Sequence, residues 1–363
     1  MGNDSVRISV HDAEAGLSLR AGELVEVRSE EEILATLDDR GELDSLPFMP
    51  EMLQYCGKQF TVYKAAHKAC DTLTKPSPGI RRMRNAVHLA GVRCDGQAHG
   101  GCQAACLTYW KEAWLKRVDD RSDGLAPTGA ATPPDRRPTV ADLYVNTHKA
   151  PGTAGEERFA CQVTELPRAA PELLPLRDMS QYVQDVRSGN VGVLAVLRAV
   201  LVGLFNRYQS LSARVLPERL RFRGGLRWGF LRGSATKTPT GRTDLRPGER
   251  VRIKPKAEIM RTLDSDLQNR GLGFDPEMAR YCGREARVLR RVEQIIDERT
   301  GELLHMKNPC IMLENVVCEG AYNSNCPRSI YAYWREIWLE RVDSTASDDQ
   351  ESATLTSNAS ETA

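Results

Sequence analysis

Three cysteines and a histidine lie close together in the first third of the chain. The stretch CDGQAHGGCQAAC, residues 94–106, contains these thiols and the imidazole of His99. Thiolate and imidazole are the ligands that zinc prefers in structural sites, and four of them complete a tetrahedral site. The spacing C-x4-H-x2-C-x3-C differs from the standard spacings of zinc fingers and ribbons. The residue types therefore predict a metal site more strongly than their spacing does.

The chain also resembles itself. Residues 19–57 align with residues 245–283 without a gap, and 18 of the 39 positions are identical. Residues 94–118 align with residues 318–342, where 10 of 25 positions are identical. Self-similarity of this extent predicts two homologous modules.

The repeat divides the candidate metal ligands between the modules. Each module has at least the four soft ligands that a closed tetrahedral site requires. The first module offers Cys56, Cys70, Cys94, His99, Cys102 and Cys106. The second module offers Cys282, Cys310, Cys318 and Cys326.

The first module has more candidate ligands than one tetrahedral site requires. The second module has Asn323 and Ile330 where the first has His99 and Cys106. We therefore expect a closed structural site in the second module, and we expect His99 and Cys106 to carry any catalytic or exchangeable role. Zinc is the favoured metal. An iron–sulfur cluster uses the same thiolates, and buried or redox-active thiols are the further alternative.

Other conspicuous residues have structural interpretations. Glu51 and Glu277 recur in a PEM triplet and are candidate acids of a site, but the favoured interpretation is a carboxylate in the first turn of a helix that complements the helix dipole. His88 and His148 stand alone, and we expect them to be structural or exposed. The repeated tryptophans are expected in the cores, and they are Trp110, Trp114, Trp334 and Trp338.

The elements that must position these residues are mainly strands. ELVEVRS and ERVRIKP alternate apolar and polar residues after a glycine, which predicts a half-buried strand in each module. EEILATLD and the segment from Pro50 to Gly57 predict short helices, and KQFTVYK predicts a strand. CLTYWKEAWLKRV places apolar residues at helical spacing, which predicts a closing amphipathic helix. The fold class is α+β.

The repeat and the composition divide the chain into five segments. We predict a first cysteine-rich module at 17–118, a flexible linker at 119–139 and a central segment at 140–233. A second cysteine-rich module at 243–342 and a disordered acidic tail at 343–363 follow. The Gly-Glu-x-Val-x-Val pattern resembles the first strand of SH3-like barrels, so we expect an SH3-like barrel in each module.

The central segment mixes strand and helix signals. RFACQVTEL predicts a strand, MSQYVQDVRSGN a short helix, and residues 191–205 an apolar helix that is shorter than the roughly twenty residues of a membrane span. We expect that helix to be buried or to bind a partner, with an interfacial membrane helix as the alternative. Residues 219–233 interleave arginines with aromatic residues. A strand pair turning at Gly224 and Gly225 is favoured there over a nucleic-acid or anion site.

Overall composition restricts the function. Lys and Arg number 50 against 49 for Asp and Glu, so the net charge of +1 gives no general attraction for nucleic acid. The first residues lack the pattern of a secretory signal, which predicts a cytoplasmic protein with reduced thiols. The sequence contains no phosphate-binding loop, HExxH motif, nucleophile elbow or dinucleotide fingerprint, which disfavours the common cofactor enzymes.

The succession of LPFMPEMLQYCG, CDGQAHGGCQAAC and YWKEAWLKRV resembles a family of bacterial proteins with duplicated modules, and the resemblance implies no particular activity. We expect a zinc-binding tandem-repeat protein that acts as a scaffold or accessory factor for another protein. One alternative is an enzyme that uses a metal-activated water or a reactive thiol in the first module. A second alternative is binding of nucleic acid or an anionic ligand by residues 219–233.

Overall fold

The computed structural model describes residues 17–72, 79–118, 137–152, 155–229 and 232–342. The chain divides into two units. The first comprises residues up to Gly229 together with 294–306 and 318–330, and the second comprises 230–293, 307–317 and the residues from Tyr331 onward. Most of the predicted linker and the whole predicted tail lie outside the described residues. The predicted module boundaries stay a prediction.

Short strands dominate the part of the chain before residue 160, and helices follow. The strands are β1 (Leu24–Val27), β2 (Glu42–Leu43), β3 (Leu46–Pro47), β4 (Gln59–Ala65), β5 (Lys68–Asp71), β6 (Gly79–Arg82), β7 (Ala86–Leu89), β8 (Trp110–Lys111), β9 (Leu115–Arg117), β10 (His148–Lys149) and β11 (Arg158–Phe159). The helices are α1 (Glu30–Leu34), α2 (Val140–Asn146), α3 (Leu166–Ala169), α4 (Ser180–Arg187) and α5 (Val193–Val215).

The remainder of the chain is again mainly strand. Its elements are β12 (Arg250–Ile253), α6 (Lys256–Met260), β13 (Gln268–Asn269), β14 (Leu272–Gly273), β15 (Glu285–Ile296), β16 (Leu303–Val317), β17 (Tyr331–Trp334) and β18 (Leu339–Arg341). Helices and sheets are thus both present, and the predicted α+β class is confirmed.

Each unit is built on a five-stranded antiparallel sheet. In the first unit the order is β8-β7-β4-β1-β9, and β1 is paired on both sides, with Val25 opposite Phe60 and opposite Arg117. In the second unit the order is β17-β16-β15-β12-β18. Val25 and Val27 are fully buried while Leu24 is exposed, as the alternating pattern predicts.

The repeated tryptophans form the centre of each core, as predicted. In the first unit the ring of Phe48 meets Trp114 edge to face at 5.1 Å and Trp110 at 6.1 Å. In the second unit Phe274 meets Trp338 edge to face at 5.7 Å. Edge-to-face contacts between buried aromatic rings add to the apolar area that they remove from water.

The predicted amphipathic helix at the end of each module is wrong. Residues 110–117 form β8, a 3-10 turn at Glu112–Trp114 and β9, and the corresponding turn of the second unit is Glu336–Trp338. An amphipathic helix would expose Lys111 and Glu112, but both are buried. Glu112 accepts hydrogen bonds from the backbone N–H groups of Ser18 and Leu19 at 2.9 Å each, and strand pairing satisfies the remaining backbone.

The closed barrel that we expected is absent from the described residues. The outer strands of the first sheet, β8 and β9, are joined by the 3-10 turn at Glu112–Trp114, and no ladder between them closes the sheet. The same is true of β17 and β18 in the second unit within the described ranges.

The central segment differs from its prediction in two places. RFACQVTEL forms only the short strand β11, and a turn follows. Residues 219–229 form 3-10 turns at Glu218–Leu220 and Phe222–Gly225 instead of the predicted strand pair. The physical reason is local, because the Gln209 side chain of α5 donates to the carbonyls of Phe222 and Leu226 at 2.8 and 2.9 Å. Residues 230–231 lie outside the described residues.

The two predicted helices of this segment are present as α4 and α5. The second is longer than predicted and ends at Val215. Ala199 and Val202 lie on its buried side, whereas Leu194 and Leu201 are exposed. In the described part of the chain, no helix is both long enough and apolar enough to cross a membrane.

The buried histidine of β7 makes the stability of the first unit depend on pH. The Nδ1 of His88 lies 3.0 Å from the carbonyl of Thr108, and burial lowers the pKa of this imidazole to about 4. In an unfolded chain the pKa is about 6.5. At neutral pH the imidazole is mainly neutral in both states. Below about pH 6.5 only the unfolded state binds it, so stability is lost as the pH falls toward about 4.

We predict that this imidazole destabilises the protein by about 2 kcal/mol at about pH 5 relative to neutral pH. Urea unfolding of the wild type and of His88→Gln at both pH values checks the prediction. The variant should lose that part of the pH dependence, whereas His148→Gln, which alters an exposed imidazole, should keep it. An unchanged pH dependence in His88→Gln would contradict the prediction.

Candidate metal centre

The loop that holds the cysteine and histidine stretch is closed by its own backbone. The N–H of Cys94 donates to the carbonyl of Cys106 at 2.9 Å, so the two ends of the loop meet. Within it the carbonyl of Gly96 accepts from the N–H groups of His99 and Gly101 at 3.1 and 2.9 Å. This turn brings the imidazole of His99 back toward the thiol of Cys94.

The third side chain of the site comes from the PEM triplet. Pro50 begins a 3-10 turn, Pro50–Tyr55, as the sequence predicts, because its fixed φ and missing N–H suit the first helical position. Glu51 is the next residue, and its side chain is only 4% exposed. The dipole interpretation that the sequence favoured does not account for a carboxyl group that is buried beside a thiol.

A carboxylate, a thiol and an imidazole meet in a small triangle. The Sγ of Cys94 lies 3.4 Å from the Nε2 of His99 and 3.4 Å from the Oε1 of Glu51. The Nδ1 of His99 lies 3.5 Å from the same carboxylate oxygen. One ligand atom from each residue falls within 4.8 Å of the other two. Ligands at tetrahedral zinc distances lie about 3.3–3.8 Å apart, so the two 3.4 Å distances from Cys94 Sγ suit a metal site, and an ion would use one of the two ring nitrogens of His99.

Burial opposes charge on all three groups. It raises the pKa of the Glu51 carboxyl, raises the pKa of the Cys94 thiol well above its usual range, and lowers the pKa of His99 to about 4. The Oε2 of Glu51 and the Nδ1 of His99 are buried without a hydrogen-bond partner in the described structure. A bound cation would stabilise the carboxylate and thiolate forms and would bond to a neutral imidazole, which burial already favours.

The triangle borders a cavity of about 50 Å³. About 10–15 Å³ suffices for one water molecule, so the cavity can hold an ion and a few waters but no extended substrate. Three further thiols line it, from Cys102, Cys106 and Cys161. The Sγ of Cys102 accepts a hydrogen bond from the N–H of Ile296 at 3.4 Å, and burial raises the pKa of the Cys106 thiol well above its usual range.

A second pair of thiols lies elsewhere in the first unit. The N–H of Cys70 donates to the Sγ of Cys326 at 3.0 Å, and Arg328 donates to the carbonyl of Cys70 at 2.9 Å. Burial raises the pKa of the Cys326 thiol, but the hydrogen bond from Cys70 and the charge of Arg328 outweigh it, and the net pKa is lowered. These two cysteines came from different predicted modules.

The other predicted ligands have separate surroundings. Cys56 and Cys282 end the 3-10 turns of their respective units. Cys310 accepts a hydrogen bond from Arg335 at 3.5 Å, and Cys318 accepts one from the N–H of Gly320 at 3.3 Å. Within the described ranges, the triangle is the one group of three such ligands close enough for an ion. The four-thiol site of the second module stays a prediction.

Two residues of this region were not among the predicted ligands. Glu51 was considered as an acid of a site, but the helix-dipole interpretation was favoured, and its recurrence as Glu277 does not distinguish the two roles. Cys161 was hidden inside RFACQVTEL, because the alternation there predicts a strand and the residue lies outside the repeat. The spacing of residues around Cys161 did not mark it as a metal ligand.

The turn at Gly96 yields a stability prediction. Its φ is +76°, and an added Cβ would lie 2.0 Å from the carbonyl oxygen of Cys102. Gly57 has a φ of +72° but has no atom within 4 Å of such a Cβ. Gly57→Ala should therefore cost about 1–2 kcal/mol from φ alone, and Gly96→Ala should cost about 2–5 kcal/mol because overpacking is added. Urea unfolding measures both, and equal losses would contradict the geometry of the loop.

The buried thiols yield a reactivity prediction. Only a thiolate is alkylated, and burial keeps Cys94 and Cys106 protonated in metal-free protein. After chelator treatment, iodoacetamide at about pH 8 should modify these two residues at least about tenfold more slowly in native protein than in urea. Peptide mass spectrometry measures the rates. Equal rates in the two conditions would show an open, reactive centre instead.

Comparison with known proteins does not assign a function to this site. No protein-family model, no curated protein and no solved structure matches the chain. The interpretation of the site therefore depends on the triangle of Glu51, Cys94 and His99 and on the cavity beside it.

Proposed function

We propose that the protein binds one divalent transition-metal ion, most suitably zinc, through Glu51, Cys94 and His99. The observation that carries the proposal is the triangle of ligand atoms, in which Cys94 Sγ lies 3.4 Å from Glu51 Oε1 and from His99 Nε2, and one ligand atom of each residue lies within 4.8 Å of the other two. The orphaned Glu51 Oε2 and His99 Nδ1 support it, because buried polar atoms normally have a partner. An ion bound at either of these atoms would give that atom a partner.

The ligand set favours zinc over the alternatives from the sequence. Iron–sulfur clusters are held by several thiolates, whereas the triangle has one thiol beside a nitrogen and an oxygen. Zinc accepts sulfur, nitrogen and oxygen ligands together. Three protein ligands leave a fourth position, which water or one of the thiols lining the cavity could fill.

We assign the ion a mainly structural role. The three ligands come from the loop at 94–106 and the 3-10 turn at Pro50–Tyr55, so an ion would join two segments that have little regular structure of their own. The small cavity also argues against an extended substrate. Binding energy of this kind adds directly to folding stability.

The wider proposal is a cytoplasmic tandem-repeat scaffold or accessory factor for another protein. The two sheets have the same order of strands, and a 3-10 turn stands before the last strand in each. Together with the aligned sequences, this supports a duplication of one SH3-like module. The sheets are open in the described residues, so the closed SH3-like barrel is not part of this proposal.

A second candidate function follows from the same three residues. The Glu51 carboxylate lies beside His99 Nδ1, and His99 Nε2 lies beside the Cys94 thiol, in the order of an orienting acid, a base and a nucleophile. In that case Cys94 would attack an electrophilic substrate and His99 would take its proton. Such a thiol enzyme needs no metal and requires a reactive Cys94.

Metal content of the full chain tests the proposal. Protein purified without chelator should contain about one equivalent of zinc by elemental analysis, and Cys94→Ser, His99→Asn and Glu51→Gln should each lose most of it. Glu277→Gln is the matched control, because it changes the equivalent PEM glutamate of the second unit and should retain the ion. Circular dichroism establishes that each variant is folded.

Two results would contradict the metal proposal. One is wild-type protein that contains no metal and gains no thermal stability from added zinc. The other is loss of zinc in Glu277→Gln equal to the loss in Glu51→Gln. Metal-free protein with a rapidly alkylated Cys94 would favour the thiol enzyme.

A further inference from the structure

The second unit contains a larger cavity that none of the functions above uses. Its volume is about 420 Å³, within the range of about 300–1,000 Å³ that is usual for small-molecule sites. The walls come from the tip of the β13–β14 hairpin, from β15 and β16, from the turn at Glu336–Trp338 and from residues 240–242. All of the lining residues belong to the second unit.

The lining of this cavity is strongly cationic. Five of the lining side chains carry a positive charge, and they are Arg242, Arg270, Arg291, Lys307 and Arg335. Two carry a negative charge, Glu293 and Glu336. Glu336 pairs with Arg291, and Arg242 pairs with Asp244 at 2.9 Å, so acids already balance these two arginines. Among the described residues, no ion pair is seen for the other three lining cations, Arg270, Lys307 and Arg335. An excess of positive charge in a concave site attracts anions.

In the first unit, an acid balances the positive charge at the position equivalent to Arg335. There Lys111 Nζ forms an ion pair with Asp44 Oδ2 at 2.7 Å. In the alignment of the repeats, Arg335 stands at the position of Lys111, and Arg270 stands at the position of Asp44. The acid of the pair has become a second cation.

The backbone supports this comparison. Asp44 and Arg270 are each the first residue of a two-residue hairpin turn, with φ of 51° and 47°. Their side chains therefore leave equivalent turns. The two turns thus have the same backbone form, and the side chain with its charge is what differs.

Arg335 is held as a fixed charge at the wall of the cavity. It is only 8% exposed, and its Nε and Nη2 donate to the carbonyls of Asn269 and Arg270 at 3.1 and 2.8 Å. These carbonyls orient the guanidinium but do not neutralise it. An anion in the cavity would gain from this preorganised charge and would contact the side chains of Arg270 and Lys307 directly.

We propose that this cavity binds a small phosphorylated molecule, whose phosphate takes the place that the Asp44 carboxylate occupies in the first unit. Several cations facing one space favour a multiply charged ligand over a single carboxylate, and arginine forks fit phosphate oxygens. Pro309 and Ile337 supply an apolar wall for the rest of the molecule.

The test uses the full chain and pyrophosphate as the probe. Isothermal titration of the wild type with millimolar pyrophosphate should show saturable binding near one equivalent. Arg270→Asp restores the acid of the first unit beside Arg335, so it should stay folded and should weaken binding about tenfold or more. Arg270→Gln, which removes the charge without adding an acid, should also weaken it.

The matched control is Arg287→Asp, which makes the same change at an exposed position of β15 outside the cavity. It should bind pyrophosphate as the wild type does. The proposal is overturned if the wild type shows no saturable binding, or if both Arg270 variants bind as tightly as the wild type. Equal weakening in Arg287→Asp would mean nonspecific attraction by the surface and would also overturn it.

Discussion

The mutual burial of a carboxyl, a thiol and an imidazole is the constraint on which the candidate site depends. Each of these groups is more costly to charge here than in water, because the surrounding protein has replaced solvent. The loop at 94–106 and the turn at Pro50–Tyr55 nevertheless hold all three within one ion's reach. A cation would offset that cost for the carboxylate and the thiolate together.

The strands could be predicted from the sequence because their signal is local. Alternation in ELVEVRS predicted β1, with Val25 and Val27 facing the core, and Pro50 predicted the start of the turn that carries Glu51. The spacing of Trp110 and Trp114 was misleading. Trp110 and Trp114 are both buried although the chain between them is a short strand and a 3-10 turn, so this spacing does not require a helix. The burial of Lys111 shows that the segment has no polar helical face.

The candidate site was predicted only in part. The sequence identified Cys94 and His99 by type, and the structure places them together. Glu51 lies 43 positions before Cys94, and only the three-dimensional fold brings such distant positions together. The pairing of Cys70 with Cys326 had no sequence signal either, because residues 318–330 join the first unit although they align with the loop at 94–106.

The two five-stranded sheets have the same strand order, but the aligned side chains differ in charge and in ligand type. His99 has become Asn323, which removes a ligand from the loop, and Asp44 has become Arg270, which reverses the charge of a hairpin tip. Within the described residues, the triangle of Glu51, Cys94 and His99 therefore has no counterpart in the aligned loop at 318–330. The second change gives the other unit a cationic cavity.

The most direct test of the metal centre is X-ray absorption spectroscopy at the zinc edge on the full chain. We predict one sulfur at about 2.3 Å and two or three nitrogen or oxygen ligands at about 2.0 Å, with the sulfur contribution lost in Cys94→Ser. A shell of four sulfurs would show that the thiols lining the cavity bind the ion instead of the triangle. Such a shell would contradict the assignment of Glu51 and His99 as ligands.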